Sequence, residues 1–205
     1  MYKRILFISV FLVILISGCS SAPMTTKDKL FDKYLSYDYC KLDASRQSID
    51  NSCGVACLSS VLNYWNIESS EDYLLRKYAK ESGYSILELS KISEDEGLRS
   101  YSLSMYESPK KQLDEQLSKG RPVICATMLP YALNSLDGIP LFGSTYRNLT
   151  WMLGHRRNHY VVVFGWNYKN YLVMDPSFGI ISLDKKKFYK CWKDGGYCVL
   201  LCGKK

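Results

Sequence analysis

What most constrains the fold of this 205-residue chain is the order of its hydrophobic periods, helical spacing first and alternation afterwards. Val55, Leu58, Leu62 and Trp65 recur at intervals of three and four behind Asn51 and Ser52, two cap candidates, so an amphipathic helix is predicted to begin at Cys53. A second helix is predicted from Ser70 to Ser82, ending at Gly83, and the capping box Ser85-Ile86-Leu87-Glu88 opens a third that stops near Gly97. Tyr101, Leu103 and Met105 then alternate with Ser100, Ser102 and Ser104, the period-two mark of a half-buried strand. Ser108-Pro109 opens a fourth short helix ended by Gly120, and Pro122 to Met128 reads as a buried strand. Further strands are predicted near 159 to 165, 171 to 175 and 179 to 183, then a short helix opened by Asp184 and a last strand near 196 to 202. This order defines an α+β domain, amino-terminal helices packed on an antiparallel sheet. From Pro130 to Asn158 no period appears, and Gly138, Pro140, Gly143 and Gly154 punctuate a long loop, a kind of segment that more often carries function than structure.

The amino terminus has a different logic. Lys3 and Arg4 precede an apolar run from Ile5 to Ile16 that gives way to Ser17, Gly18 and Cys19. A spanning helix needs roughly 20 apolar residues, so residues 1–18 read as a signal peptide. Leu15-Ile16-Ser17-Gly18-Cys19 resembles the bacterial lipobox, which makes Cys19 a lipidated first residue and the membrane a partner through that anchor. Two or more acyl chains hold a protein stably on a bilayer, each buried methylene contributing roughly 0.8 kcal/mol. Residues 19–36 are then a tether, small, polar and Pro-containing from Ser20 to Lys29, and residues 37–205 one domain. Ser20, which is not Asp, resembles the pattern of Gram-negative lipoproteins sent to the outer membrane; in a Gram-positive cell the anchor would leave the domain on the outer face of the plasma membrane.

Composition excludes more than it assigns. Without Lys3 and Arg4 the formal charge falls from +7 to +5 (7 − 2), and the Lys185-Lys186-Lys187 run reads as a solvated face, so no nucleic-acid partner is assigned. Eight cysteines in an exported chain leave disulfides open, with pairing unreadable from sequence. Cys198 and Cys202, four residues apart on one strand, would lie roughly 13 Å apart and cannot bridge. No CxxC pair occurs, and only His155 and His159 could add nitrogen ligands, so neither a metal nor another cofactor is expected.

A thiol attacks a carbonyl as thiolate, which the start of a helix favours, and Cys53 is at such a start. Gly54 leaves room for a substrate backbone, and the same amides can donate to an oxyanion. Of the two histidines, His155 follows Gly154 and precedes Arg156 and Arg157, whose charges disfavour its protonated form, whereas His159 opens the strand Tyr160-Val161-Val162-Val163-Phe164, which can hold an imidazole in place. A hairpin centred on Asn167 pairs positions summing to 334, which sets His159 opposite Asp175 with Cβ atoms about 5 Å apart. Asp175 then accepts from one ring nitrogen and leaves the other facing the thiol.

Three blocks, Gln47-Ser48-Ile49-Asp50-Asn51-Ser52-Cys53-Gly54-Val55-Ala56-Cys57-Leu58, His159-Tyr160-Val161-Val162-Val163 and Asp175-Pro176-Ser177-Phe178-Gly179, together resemble the bacteriocin-processing (double-glycine-type) cysteine peptidases of the papain-like clan. Leu75-Arg76, Gly83-Tyr84-Ser85, Gly97-Leu98, Gly120-Arg121-Pro122-Val123-Ile124 and Phe188 to Trp192 extend the resemblance to roughly residues 46 to 202. It implies a papain-like fold, Cys53 as nucleophile, His159 as general base and acid, Asp175 as orienter, Gln47 as side-chain donor of the oxyanion hole, and Cys57 as core packing. The family's best-known members continue into membrane spans and an ATPase, and they cleave leaders on the cytoplasmic side. Neither feature fits this chain, so a separate secretion system is the candidate partner.

The expected function is a cell-envelope cysteine peptidase that cleaves a peptide or protein substrate through a Cys53 thioester. Two alternatives share the fold: a papain-like acyltransferase or amidase, and a peptide-binding lipoprotein without catalysis. The 130–158 stretch, leading into His159, is a candidate lid or docking surface.

Overall fold

The computed structural model describes residues 36–80, 82–130 and 156–205. The signal peptide, Cys19, nearly all of the predicted tether, His155 and most of the 130–158 stretch lie outside the described residues. Those residues form five helices, α1 (Cys53–Tyr64), α2 (Glu71–Lys77), α3 (Ile86–Asp95), α4 (Pro109–Ser118) and α5 (Lys185–Asp194). With them stand seven strands, β1 (Asp38–Tyr39), β2 (Leu98–Ser104), β3 (Val123–Pro130), β4 (Arg156–Trp166), β5 (Asn170–Asp175), β6 (Gly179–Asp184) and β7 (Cys198–Lys204). The strands make one antiparallel sheet in the order β2-β7-β3-β4-β5-β6, with β1 paired to β4. The α+β expectation is borne out.

The starts of α2, α3 and α5 follow side-chain chemistry. Ser85 and Glu88 close the capping box of α3, and the Asp184 carboxylate accepts from the backbone N–H groups of Lys186 and Lys187 at the start of α5. The apolar cluster between sheet and carboxy-terminal helices joins Leu113 and Leu117 of α4 and Phe188 and Trp192 of α5 to alternate strand residues, among them Val123, Cys125, Val161, Val163, Tyr171, Val173 and Val199. Burial of each such side chain contributes about 1.5–3 kcal/mol, and this cluster is what holds β4 and β5 rigid next to the site.

Several expectations are corrected. Helix α2 ends at Lys77, short of Ser82. The Tyr78 carbonyl accepts from the Tyr84 hydroxyl (2.8 Å), and the Tyr78 hydroxyl and Lys77 converge on Glu96, so tertiary partners replace the next helical turn. Strand β2 alternates as expected, but Leu98 and Ser100 are buried whereas Tyr101 and Leu103 are 59% and 38% exposed. The serines turn inward because α3 offers matching partners: Ser90 and Ser100 share a hydroxyl bond of 2.8 Å, and Ser93 meets Cys202. The long loop is narrower than expected, since β3 runs on to Pro130 and β4 starts at Arg156. Of the lysine run, Lys186 and Lys187 are exposed, but Lys185 is buried, its Nζ 4.6 Å above the Tyr171 ring and 3.6 Å from Asp114.

Candidate active site

Cys53 is the first residue of α1 and is partly buried. Ser52 occupies the N-cap position without capping. Its hydroxyl instead points away from the helix, to the Ile49 carbonyl (2.8 Å) and the Glu71 carboxylate. The amides at the start of α1 are therefore left open beside the thiol, where their positive end favours a thiolate. Gly54 packs closely: a Cβ there would lie 2.9 Å from Leu89 Cδ1, the movable end of a side chain, and 3.2 Å from the Tyr160 ring.

His159 lies on β4 and Asp175 at the end of β5, both 3% exposed, with Nε2 3.0 Å from Oδ1. Asp175 Oδ1 also accepts from the Ser177 N–H at 2.8 Å, and the Thr127 hydroxyl donates to the His159 carbonyl at 3.1 Å. A carboxylate on Nε2 fixes the proton there and leaves Nδ1 for the Cys53 thiol, which interacts with the same ring.

The predicted register is corrected. Val162 pairs with Met174 and Val163 with Val173, positions summing to 336 and not 334, and a further slip falls between Val163 and Gly165. At that slip β1 crowds the backbone, and a Cβ on Gly165 would lie 2.5 Å from Tyr39 Cβ. On the His159 side of that slip the shift from 334 to 336 is two residues, which keeps His159 and Asp175 on the same face. His159 and Asp175 are therefore diagonal neighbours rather than directly opposed, and their side chains close the distance.

Electrostatics follow this geometry. Burial alone would push the imidazole down, but the Asp175 hydrogen bond, the Cys53 contact and their charges together raise it to about 9. Burial would likewise raise the Cys53 thiol. The hydrogen bond and charge of His159, with the backbone N–H groups of Tyr160 and Gly54, outweigh it and hold the thiol below its ordinary value. The two titrate as a coupled pair, and the downward shift of the thiol and the upward shift of the imidazole both favour the thiolate–imidazolium form. Cys57, one turn along α1, and Cys125 are fully buried, and burial pushes both thiols well up, as expected of inert core cysteines.

Gln47 joins the same corner indirectly. Its N–H donates to the Pro176 carbonyl (3.1 Å), its side-chain oxygen accepts from the Ser177 hydroxyl (3.1 Å), and its amide nitrogen faces the Ile49 carbonyl at 3.4 Å. No hydrogen bond joins Gln47 to Cys53 in this state. Ser177 thus links the two loops, touching Asp175 through its N–H and Gln47 through its hydroxyl. A cleft of about 530 Å³ opens on Cys53 and His159, lined also by Tyr84, Ile86, Tyr160 and Gly195. Gly195 lies so close to β3 that a Cβ would meet the Ala126 carbonyl oxygen at 2.3 Å.

Sequence reasoning did not find Glu71, Ser177, Thr127 or the Tyr160 N–H. The Ser and Thr contacts carry no periodic signal, and Glu71 reads as an ordinary acid in a helix's first turn. Of the predicted residues, Cys53, His159 and Asp175 are brought together, and Gln47 is tied to them through Ser177.

This arrangement, a helix-borne thiol facing a strand-borne His–Asp pair on an antiparallel sheet, defines the class of papain-like folds. The chain belongs to the Peptidase_C39 like family, whose model matches residues 37–198. It is 23% identical over 146 residues to the SPbeta prophage-derived sublancin-168-processing and transport ATP-binding protein SunT of Bacillus subtilis (strain 168). That match covers 71% of this chain and 17% of the relative, so the chain spans about a sixth of that protein's length. Among solved structures, a double glycine motif protease from an AMS/PCAT transporter, in complex with the leader peptide, superposes with a TM-score of 0.56 at 17% identity, covering 82% of this chain and 94% of that one. The peptidase domain of Streptococcus ComA, a bi-functional ABC transporter of a quorum sensing pathway, gives 0.55 at 18% identity, covering 80% and 98%. At these identities the likeness is one of fold.

Proposed function

We propose that this protein is a cysteine peptidase of the cell envelope, held there by a lipid on Cys19, that cleaves a peptide through a thioester on Cys53. The single observation that carries the chemistry is the buried His159–Asp175 pair at 3.0 Å, turned toward a thiol at an uncapped helix start. In the forward step the Cys53 thiolate attacks the scissile carbonyl carbon, and the carbonyl electrons move onto oxygen. Gln47 and the amides of α1 are assigned to that oxyanion; Gln47 would have to turn its nitrogen from Ile49 to do so. Collapse expels the amine, which takes its proton from His159, and leaves the acyl group on sulfur. His159, now neutral, takes a proton from water as the water attacks the thioester, and the acid leaves with Cys53 restored. Peptide is the proposed substrate class, by likeness to a double glycine motif protease found with a leader peptide. A secretion system is the proposed partner.

The chemistry is tested by incubating peptides with the wild-type protein and with Cys53→Ala and following products by mass. Hydrolysed fragments dependent on Cys53 are expected; acyl products carrying an amine in place of water would indicate a transferase or amidase, and bound but intact peptide a binding protein. The anchor is tested separately, by acyl mass on Cys19.

A further inference from the structure

Two carboxylates are buried among the described residues, Asp175 and Glu71. Asp175 belongs to the site, whereas Glu71, 7% exposed, is not used by the mechanism above. It is the first residue of α2 and has no cationic partner among the described residues. All three of its hydrogen bonds go to the loop between Gln47 and Cys53. Both oxygens accept from the Ser48 N–H, at 2.9 and 3.0 Å, and Oε1 also accepts from the Ser52 hydroxyl.

Burial of an unpaired carboxylate is costly unless fixed donors compensate. Here the donors are a backbone amide and a hydroxyl whose placement matters. Ser48 follows Gln47 directly, and Ser52 precedes Cys53. Serine at an N-cap ordinarily turns its hydroxyl oxygen onto its own helix's free amides. Glu71 and the Ile49 carbonyl recruit that hydroxyl in the opposite direction, so the first-turn amides of α1 carry no side-chain cap, and the Gly54 N–H turns to the Cys53 sulfur instead. The His159–Asp175 pair stands on the sheet, and its link to this loop runs through Ser177 to Gln47, not through Ser48, Ser52 or Glu71.

We propose that Glu71 is a positioning residue for acyl transfer, pinning Ser48 and Ser52 so that Gln47 and the uncapped start of α1 converge on the oxyanion. The inference rests on the peptidase reading and specifies how its oxyanion site is built. It separates two properties that a general loss of structure would degrade together: thiolate formation at Cys53, to which His159 contributes most and the backbone N–H groups of Tyr160 and Gly54 less, and oxyanion stabilisation, which depends on the loop.

The test compares two reactions of Cys53 on the intact chain, alkylation by iodoacetamide, which forms no oxyanion, and acylation by p-nitrophenyl acetate, which does. Glu71→Gln keeps shape and one acceptor; Glu71→Ala removes both. Alkylation rates and their pH profile should stay within about twofold of wild type, while acylation falls, for Glu71→Ala roughly ten- to a hundredfold, somewhat less than deleting an oxyanion donor outright. In a Gln47→Ala background the Glu71 substitution should cost much less, because its effect passes partly through that side chain. Equal falls in both reactions, or losses that multiply independently of Gln47, would overturn the positioning role. Glu71→Gln, the variant least at risk of misfolding, must still lower the acylation-to-alkylation ratio. A wild-type Cys53 acylated no faster than a free thiol of the same pKa would overturn the peptidase reading and this inference with it.

Discussion

His159 and Cys53 shift each other's protonation, and the sign of each shift sets the pH profile. The thiol is held below its ordinary value, so the active pair forms on the acid side of the normal thiol range; the imidazole, raised to about 9, loses its proton there. Acylation is therefore expected to be bell-shaped, with an alkaline limb near 9, read from kcat/KM against pH. Asp175→Asn removes the charge that helps hold the imidazole up, so that limb should move to lower pH while activity falls partway. His159→Ala should lose orders of magnitude and His155→Ala little. Among thiols, Cys53 should react with an alkylating agent ahead of Cys57, Cys125 and Cys202, whose burial raises their pKa values. At this scale the sequence was informative about residues with a chemical signature. A cysteine at a helix start, a histidine entering a β-branched run and an acid before proline each stand out alone. Ser177 and Glu71 do not, because their roles come from partners 130 and 23 or fewer positions away.

Elements place those residues through close backbone contacts, and glycines mark where. At Gly195 an added Cβ would lie 2.3 Å from the Ala126 carbonyl oxygen, a backbone atom of β3 that cannot swing aside. Gly195→Ala should therefore cost at least the ~1–3 kcal/mol of an overpacked site, a fall in Tm of several degrees at roughly 2–4 °C per kcal/mol for a domain of this size. Gly54→Ala meets chiefly the flexible end of Leu89, and alanine gains about 1 kcal/mol over glycine within a helix, so its stability should change little. Its effect should appear in rate instead, through displacement of the Tyr160 ring beside His159. Thermal melts and single-turnover acylation of both variants check this contrast. Period, joined by capping at α3 and α5, predicted α1, α3, α4 and α5 closely, since those signals are local, whereas Ser52 and Ser108 make no side-chain cap. Register was legible only to its parity: alternation fixes which face a side chain takes, but not the two-residue offset that β1 and the slip beside Gly165 impose on β4 and β5. The inward serines of β2 and the early end of α2 depend on partners in α3, on Glu96 and on Tyr84, none of which has a periodic mark.

Taken whole, the chain joins a folded domain matching the Peptidase_C39 like family over residues 37–198 to an amino-terminal segment that reads as an anchor. The domain was legible because three short blocks kept their order across more than 120 positions, from Gln47 to Gly179. The segment makes its own prediction: Cys19→Ala should abolish acyl mass and move the protein out of the membrane fraction, and a chain starting after Lys29 should be soluble, both read by fractionation. Absence of acyl mass on wild-type Cys19 would contradict the anchor without touching the site. The central claim, that the Cys53–His159–Asp175 geometry cleaves peptides through a thioester, is tested most directly by trapping the acyl-enzyme. Wild-type protein quenched in acid during turnover of an envelope peptide mixture should carry a peptide acyl adduct on Cys53, resolved by mass spectrometry, with the matching amine fragment released. Cys53→Ala should yield neither. Equal fragment release by Cys53→Ala, or bound peptide recovered intact from the wild type with no adduct at Cys53, would contradict the account.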